Sequence, residues 1–280
     1  MSAGAYEMKG PSAFAGGSRR MLQLTRILAV TEFKLRFFDS FLGYFWSLLR
    51  PLLFFGVLFV VFNEFVKFGG GAKDYPLLLL NGIVLFSFFQ EATTRGVTAV
   101  VDHEALVRKV QFPRMAIPLS TVMTAVFNLA LSLVVLLIFV LASGHAPALS
   151  WLELPLLAAA LVGLACGAAM LVSALYVFAR DVQPIWEVGM QALFYATPIL
   201  YPIERVAEHS TTAAHFLMCN PVAVVIEQAR HALIDPTAPS AADAIGGAVW
   251  LAIPIGIAIG GCALGFAVFN RTAPRIAEEL

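Results

Sequence analysis

The sequence predicts an all-α integral membrane protein with six transmembrane helices. Of its 280 residues, 60% are hydrophobic and only 13% are charged, whereas a soluble globular domain carries about 25% charged residues. Several stretches without Asp, Glu, Lys or Arg also exceed the roughly 20 residues that a helix needs to cross a bilayer. Because unpaired backbone groups are costly in hydrocarbon, these stretches are expected to be helical.

Residues 1–40 predict a cytoplasmic N-terminus and an amphipathic interface helix. The apolar stripe of this helix recurs at three- and four-residue spacing and consists of Met21, Leu24, Leu28, Thr31, Leu35 and Phe38. Phe33 and Phe37 lie off the stripe, so we expect the helix to pack on protein as well as on lipid. The Arg19-Arg20 pair is typical of a twin-arginine export signal, but the charged residues that follow interrupt the apolar core of such a signal, so no cleavage is predicted.

Residues 41–275 are predicted to form a six-helix transmembrane domain, and residues 276–280 a cytoplasmic tail. The predicted spans are 42–66, 75–101, 117–142, 154–179, 188–203 and 244–270. The third, fourth and sixth contain no charged residue and can cross with some tilt. The first carries Glu64, the second carries Glu91 and Arg95, and the fifth is short and ends in prolines.

The segment from residue 195 to residue 243 predicts re-entrant outer gate helices between the fifth and sixth spans. It is largely apolar, but its five prolines prevent one continuous spanning helix. Residues 216–226 form an apolar run of half-membrane length, which Asn220 and Pro221 interrupt. Such a run is typical of a helix that enters the membrane without crossing it.

Basic residues are unevenly divided between the two sides that six spans define. Fourteen of the 18 lysines and arginines fall on the side of the termini: Lys9, Arg19, Arg20, Arg26, Lys34, Arg36, Arg50, Arg95, Arg108, Lys109, Arg114, Arg180, Arg271 and Arg275. Since cytoplasmic loops carry the excess of basic residues, both termini are predicted to be cytoplasmic in a multi-pass inner (plasma) membrane protein.

The chain lacks the motifs of several kinds of catalytic and metal site. No lysine follows a glycine, so the phosphate-binding loop of an ATPase cannot be formed, and neither an Asp-x-Asp pair nor a His-Glu-x-x-His motif is present. The cysteines Cys166, Cys219 and Cys262 are far apart and predict neither a disulfide framework nor a zinc site. We therefore expect no catalytic residue, metal or cofactor on this chain.

Two features allow more than one interpretation. Glu91 and Arg95 are four residues apart on the second span, which favours a structural ion pair and leaves a proton-coupled transport site as the alternative. The aromatic residues, 12% of the chain, are typical of an interface belt, but they would also suit a path along which sugar rings stack.

Four motifs resemble those of the permease subunits of polysaccharide-exporting ABC transporters. The longest is EFKLRFFDSFLGYFWSLLRP at residues 32–51, followed by LVRKVQFPR at 106–114, ARDV at 179–182, and PILYP at 198–202 with Asn220-Pro221 after it. The resemblance covers about residues 22–275. This family includes exporters of O-antigen, teichoic acid and mycobacterial galactan, and the Ala-rich, Lys-poor composition is most similar to the last group.

The resemblance implies a channel-forming homodimer that exports a polyprenyl-linked polysaccharide, driven by two copies of a separate nucleotide-binding ATPase that holds ATP and Mg. It implies no nucleic-acid partner. Carried over by motif, the ATPase-coupling residues are Arg108, Lys109, Phe112, Pro113, Arg114, Arg180 and Asp181, although Asp181 would also suit a helix cap. The outer-gate residues are Tyr201, Asn220 and Pro221, and the channel-lining residues are Tyr44, Trp46, Phe54, Phe88 and Tyr195.

Two other functions remain possible from the sequence. An ABC exporter of small hydrophobic compounds would need an apolar pocket, but not a continuous aromatic path. A membrane-embedded glycosyltransferase would need converging acidic residues, and Glu91, Glu187 and Glu227 do not cluster by spacing.

Overall fold

The computed structural model describes residues 17–37, 43–62, 74–109 and 112–279, and every regular element among them is helical. The helices are α1 (Gly17–Phe37), α2 (Gly43–Val60), α3 (Tyr75–Asp102), α4 (Glu104–Lys109), α5 (Ala116–Ala142), α6 (Glu153–Phe178), α7 (Val182–Ala196), α8 (Ile203–His209), α9 (Thr211–Met218), α10 (Pro221–Leu233), α11 (Ala241–Ala244), α12 (Ala252–Thr272) and α13 (Ile276–Glu279). Short 3-10 helices, Leu149–Leu152 and Ala248–Leu251, lead into α6 and α12. The all-α prediction is confirmed for these residues.

Four helical stretches in the described part of the chain are long and apolar enough to cross a membrane. They are Tyr75–Asp102, Ala116–Ala142, Leu149–Phe178 and Ala248–Thr272, and they match the predicted second, third, fourth and sixth spans. The predicted first span overlaps α2, of 18 residues, and the predicted fifth overlaps α7, of 15. Six spans therefore remain a prediction.

Prolines explain why the fifth predicted segment is short. α7 ends at Ala196, and the backbone of Thr197 is extended, because the residue before a proline is disfavoured in the helical conformation and Pro198 follows. Pro202 precedes α8 in the same way, with an extended backbone of its own. The chain then continues in the short helices α8 to α11.

α3 is the centre of the bundle and packs between α5 and α6, while α12 packs on the far side of α6. In the most apolar 18-residue stretch of α3, 78% of the residues are buried. In the corresponding stretch of the last span, Ala248–Thr272, 11% are buried. Small residues permit the close crossings: a Cβ atom at Gly96 would lie 2.7 Å from the Cβ atom of Ala169. Gly265 faces the backbone of Gly167 with no space for a methyl group.

α1 packs along α5, and the predicted contact of its phenylalanine with protein is confirmed by a Phe33 ring centroid 5.2 Å from that of Phe127. Its buried positions are Thr25 and Ala29, each one residue beyond a member of the predicted stripe, whose Met21, Leu24 and Leu28 are half-buried. The helix is rotated because its polar contacts run to α5. The side chains of Leu35 and Phe38 lie outside the described residues, and the position of α1 at a membrane interface stays a prediction.

Among the four long helices, α5 runs opposite to α3, α6 and α12, which gives the molecule two ends. At the α4 end, α3, α6 and α12 finish, α5 begins, and α4 and α13 lie beside them. At the α10 end, the short helices α8 to α11 lie near the beginnings of α3, α6 and α12.

Candidate functional site

Both segments predicted to couple to an ATPase lie at the α4 end. The first segment joins a buried cluster made of Ala99, Val100, Val107, Phe112, Met115, Ile117, Met170, Ala174, Val177, Phe269, Ala273 and Ile276. The cluster draws on α3, α4, α5, α6, α12 and α13, and its Val177 lies just before the second segment, which begins at residue 179. The two segments, which are about 70 residues apart in sequence, therefore lie at the same end of the bundle, the first in this core and the second next to it.

Within the first segment, Phe112, Pro113 and Arg114 are buried, with Arg114 only 2% exposed. The Arg114 guanidinium donates through Nη1 to the Ala273 carbonyl at the end of α12. Carbonyl groups at a helix C-terminus carry partial negative charge, which a cation stabilises. Arg114 thus fixes this segment to the last span and points inward. The backbone of Arg108 and Lys109 lies in α4, but their side chains lie outside the described part.

Within the second segment, Arg180 and Asp181 are exposed in the turn between α6 and α7. The Arg180 guanidinium carbon lies 4.9 Å from the centroid of the Tyr176 ring, a cation–π contact. Asp181 occupies the N-cap position of α7, but its side chain makes no capping hydrogen bond. These two charged groups are accessible to a partner at the α4 end.

A half-open polar cavity of ≈ 430 Å³ lies where α1, α3 and α5 meet at the α4 end. The Glu32 carboxylate on α1 closes one wall: Ser120 donates to it at 3.1 Å, and the His103 Nε2 atom lies 3.3 Å from Oε1. The hydrogen bond to Glu32 raises the pKa of the His103 imidazole above its ordinary value of 6.5. Because His103 directly precedes α4, this contact links α1 to the first predicted coupling segment.

At the α10 end, the predicted gate residues lie where the chain enters α8 and α10. Asn220 accepts from the Val222 N–H at 3.0 Å, which caps α10, and donates to the Thr197 hydroxyl at 2.9 Å. Pro221 is the first residue of α10, where its missing N–H costs nothing. The Tyr201 hydroxyl donates to the Tyr195 carbonyl at 3.0 Å. Asn220 and Tyr201 thus each bond to the C-terminal end of α7, at Thr197 and Tyr195.

A buried charge cluster lies on α8 and α10. The Arg230 guanidinium contacts both carboxylate oxygens of Glu204, at 2.8 Å and 2.9 Å, and Oε1 of Glu227 at 2.8 Å. Burial raises the pKa of Glu227 to about 7, opposed by the charge of Arg230. The three side chains hold α8 against α10.

The predicted channel-lining aromatics fall into two groups. Phe88 packs inside the protomer core and is 3% exposed, so in this conformation it does not face the surface. Phe54 and Tyr195 are exposed, and both contact Phe194, with ring-centroid distances of 5.7 Å and 5.5 Å. Together these three rings form an aromatic surface on α2 and α7. The side chains of Tyr44 and Trp46 lie outside the described residues.

The predicted ion pair on α3 is confirmed, with Arg95 Nε 3.4 Å from Glu91 Oε1. Asn128 on α5 donates to both oxygens of Glu91, at 3.0 Å and 3.1 Å. The carboxylate is therefore held by structural partners on two helices. Among the described residues, no group of three or more His, Cys, Asp or Glu side chains is placed to bind a metal ion.

Sequence reasoning missed the polar contacts that join distant helices. Asn81 on α3 donates to the Ile226 carbonyl on α10 at 3.1 Å, and the Tyr75 hydroxyl donates to the Leu200 carbonyl at 2.8 Å. The Glu32 contacts and the Arg230 cluster were missed in the same way. One signal was available: a polar residue inside an apolar span usually faces a partner within the protein, and Asn81 is such a residue.

Comparison with known proteins agrees with these observations. A model of the family described as "ABC-2 type transporter" matches residues 23–234. The O-antigen export system permease protein RfbA of Klebsiella pneumoniae is 28% identical over 218 residues, which are 78% of this chain and 82% of that protein. The RfbA of Myxococcus xanthus is 28% identical over 195 residues, 70% and 74% of the two chains. The polysialic acid transport protein KpsM of Escherichia coli is 23% identical over 212 residues, 74% and 80%.

Proposed function

The chain belongs to the ABC-2 type transporter family, and from that membership we propose that it is the channel-forming permease that exports a lipid-linked polysaccharide. It is a transport subunit and not an enzyme; the ATPase of such a system is a separate chain. The observation that carries the proposal is the similarity to permeases of O-antigen export and to a polysialic acid transport protein over most of their lengths.

The cargo we propose is a polymer of the galactan or O-antigen kind on a polyprenyl carrier. Relatives named for two kinds of polysaccharide share this chain's helical domain, which supports a polymer as cargo. The exposed rings of Phe54 and Tyr195, which both contact the half-buried Phe194, support it as well. Sugar rings present apolar C–H faces that stack on aromatic side chains, and weak repeated contacts allow a polymer to slide.

The working unit we propose is a homodimer of this chain with two ATPase subunits that bind ATP and Mg. Two helices support a second copy, because they are poorly covered in one protomer. Only Met190 is buried among the 15 residues of α7, and α2 exposes Leu53, Phe54 and Val57. We propose that α2 and α7 are the remaining two of six spans and that they border the channel where two protomers meet.

The orientation we propose puts the α4 end and both termini in the cytoplasm and the α10 end outside. Fourteen of the 18 basic residues then lie on the cytoplasmic side. The interface helix α1 would lie along that side. The direction of transport is outward, since the polymer is built on its carrier where the ATPase and its nucleotide are found.

The mechanism we propose is rigid coupling between the ATPase and the last span. ATP binding would move α4 and the turn at Arg180 and Asp181. Arg114 and the buried cluster around Phe112 tie these segments to α12 and α13, so the α4 end would move as one unit. No chemistry on the cargo is required.

The outer gate we propose is formed by α8 to α10, with α10 re-entrant. Its Ile226 carbonyl accepts from Asn81, which is six residues, or roughly 9 Å, along α3 from the first residue of that helix. This depth supports a helix that enters the bundle and turns back.

The proposal is tested by depleting the protein in its native cell and analysing lipid-linked glycans at each membrane face. We expect a polymer-bearing polyprenyl lipid to accumulate on the cytoplasmic face, and to disappear from that face when the protein is restored. If no glycan changes, the proposal fails and the export of small hydrophobic compounds becomes the function to test.

A further inference from the structure

α10 is the fixed member of the gate. Three contacts anchor it to other elements: Asn81 to the Ile226 carbonyl at 3.1 Å, Ser150 to the Ala232 carbonyl at 2.7 Å, and Gln228 to the Glu153 carboxylate at 2.7 Å. These contacts run to α3 and to the beginning of α6. Movement of α10 would require all three to break together.

α8 is held more lightly. It is seven residues long, and its buried side chain is Ile203, 1% exposed, in an apolar cluster with Ala214, Met218 and Ala223. Its polar contact to α10 is the pair of hydrogen bonds from Arg230 to Glu204. The Glu204 side chain is 36% exposed, whereas that of Arg230 is 10% exposed, so Glu204 can move into solvent and Arg230 cannot.

Glu227 changes the cost of separating the two helices. A buried guanidinium left without a counter-charge is strongly unfavourable. Glu227 lies on α10 itself, three residues before Arg230, with its side chain 2% exposed and 2.8 Å from Nη1. If Glu204 leaves, Arg230 therefore keeps Glu227 as a partner, and the loss of the neighbouring Glu204 charge favours the ionised form of that carboxyl. In the closed arrangement two carboxylates share one guanidinium, which weakens the hold on each.

We propose that Glu204 and Arg230 form a separable lock that holds α8 over the outer mouth, and that Glu227 is the resident counter-charge that lets the lock open. All three are positioning residues. The lock closes when α8 docks its Ile203 face and Glu204 on α10, and it opens when α8 swings away with Glu204. This inference rests on the proposed function, which makes the α10 end the outer opening of a channel. The contact between Glu204 and Arg230 does not depend on which cargo is exported.

The test measures the accessibility of residue 203. Ile203→Cys is placed in a chain whose three native cysteines are replaced by Ser, and the permease–ATPase complex in lipid nanodiscs is labelled with a maleimide without nucleotide. We expect Glu204→Gln to raise the labelling rate roughly tenfold, the equivalent of losing one charged hydrogen-bond contact. Glu208→Gln, on the same helix and exposed, is the matched control and should leave the rate unchanged.

Glu227→Gln is expected to change the labelling rate of residue 203 in the opposite direction to Glu204→Gln. Without the competing carboxylate, Glu204 holds Arg230 more tightly, so labelling should fall below that of the parent and rise less when ATP is added. A purely structural role would shift both variants in the same direction, and that result, or an unchanged rate in Glu204→Gln, overturns the lock. If Glu227→Gln does not fold, as judged by its thermal unfolding, the comparison of Glu204→Gln with Glu208→Gln still decides.

Polysaccharide export by the same variants in cells separates the two proposals. If labelling follows the expected pattern but removal of the whole chain leaves export unaffected, the lock is supported and the proposed function is rejected. If export is defective without the chain but Glu204→Gln leaves labelling unchanged, the proposed function is supported and the lock is rejected.

Discussion

Single polar side chains fix how the helices of this protein meet. Asn81, Arg114 and Arg230 are each almost fully buried, and each bonds to an element distant in sequence. The sequence indicates that such groups require partners, because buried polar groups are costly when unpaired. It cannot identify the partner, since Arg114 and Ala273 are 159 residues apart. The motif at 106–114 predicted a coupling segment, which stays a prediction, and gave no indication that Arg114 points inward.

Arg114 and Arg180, one from each predicted coupling segment, are expected to behave differently. Arg114→Ala removes a buried charged hydrogen bond and should lower the free energy of unfolding by about 2 kcal/mol. Arg180→Ala removes an exposed group and should leave stability unchanged while weakening binding of the ATPase. Thermal unfolding and co-purification of the ATPase measure the two effects. Equal losses of stability in both variants would contradict the placement of Arg114.

His103 predicts a pH dependence of the contact between α1 and α3. The hydrogen bond to Glu32 raises the pKa of His103 above 6.5, so its stabilising contribution is complete below that pH and is lost as pH rises through the folded-state pKa. The gap in Tm between the parent and His103→Gln should be wider at about pH 5.5 than at about pH 9. In a Glu32→Gln background, the Tm difference between proteins with and without His103→Gln should no longer depend on pH. A Tm difference that widens as pH rises would contradict the predicted direction.

Helix length and apolar composition made the spans predictable where charges were absent. The three uncharged stretches and the stretch with Glu91 and Arg95 all became long helices, since hydrophobic runs of this length have one favourable backbone structure in a membrane. The rotation of α1 was not predictable, because its apolar stripe competes with the polar contacts of Glu32 to α5. The interruption predicted at Asn220-Pro221 separates α9 from α10, because Asn220 caps α10 and Pro221 is its first residue.

The crossing of α6 and α12 depends on the absence of one methyl group. A Cβ atom at Gly265 would collide with the Gly167 carbonyl, whereas one at Gly260 of the same helix meets nothing within 4 Å. Gly265→Ala is therefore expected to cost about 1–3 kcal/mol of unfolding free energy, and Gly260→Ala to cost nothing or to stabilise slightly. Unfolding of the two purified variants in detergent provides the comparison. Equal stability of the two would show that the helices cross less closely than described.

At the scale of the whole molecule, the sequence predicted which residues group at each end. Both predicted coupling motifs lie at the α4 end together with Arg95, Arg271 and Arg275, and the proline-rich segment forms the short helices of the α10 end. Burial could not be predicted from composition: Phe88 lies in the core and Phe54 on the surface, although both are phenylalanines in apolar helices. α2 and α7 are half-covered in the protomer, which agrees with the proposal that a second copy packs against them.

The central claim is that this chain carries a polysaccharide outward when ATP is hydrolysed on a partner. Inverted membrane vesicles test it directly, because their cytoplasmic face is outside: lipid-linked polymer is supplied there with ATP, and a glycosidase is then added. We expect polymer to become protected from the glycosidase with ATP, and not with a non-hydrolysable analogue or in vesicles that lack this chain. Polymer that stays fully digestible with ATP, or that is protected equally without this chain, would contradict the account.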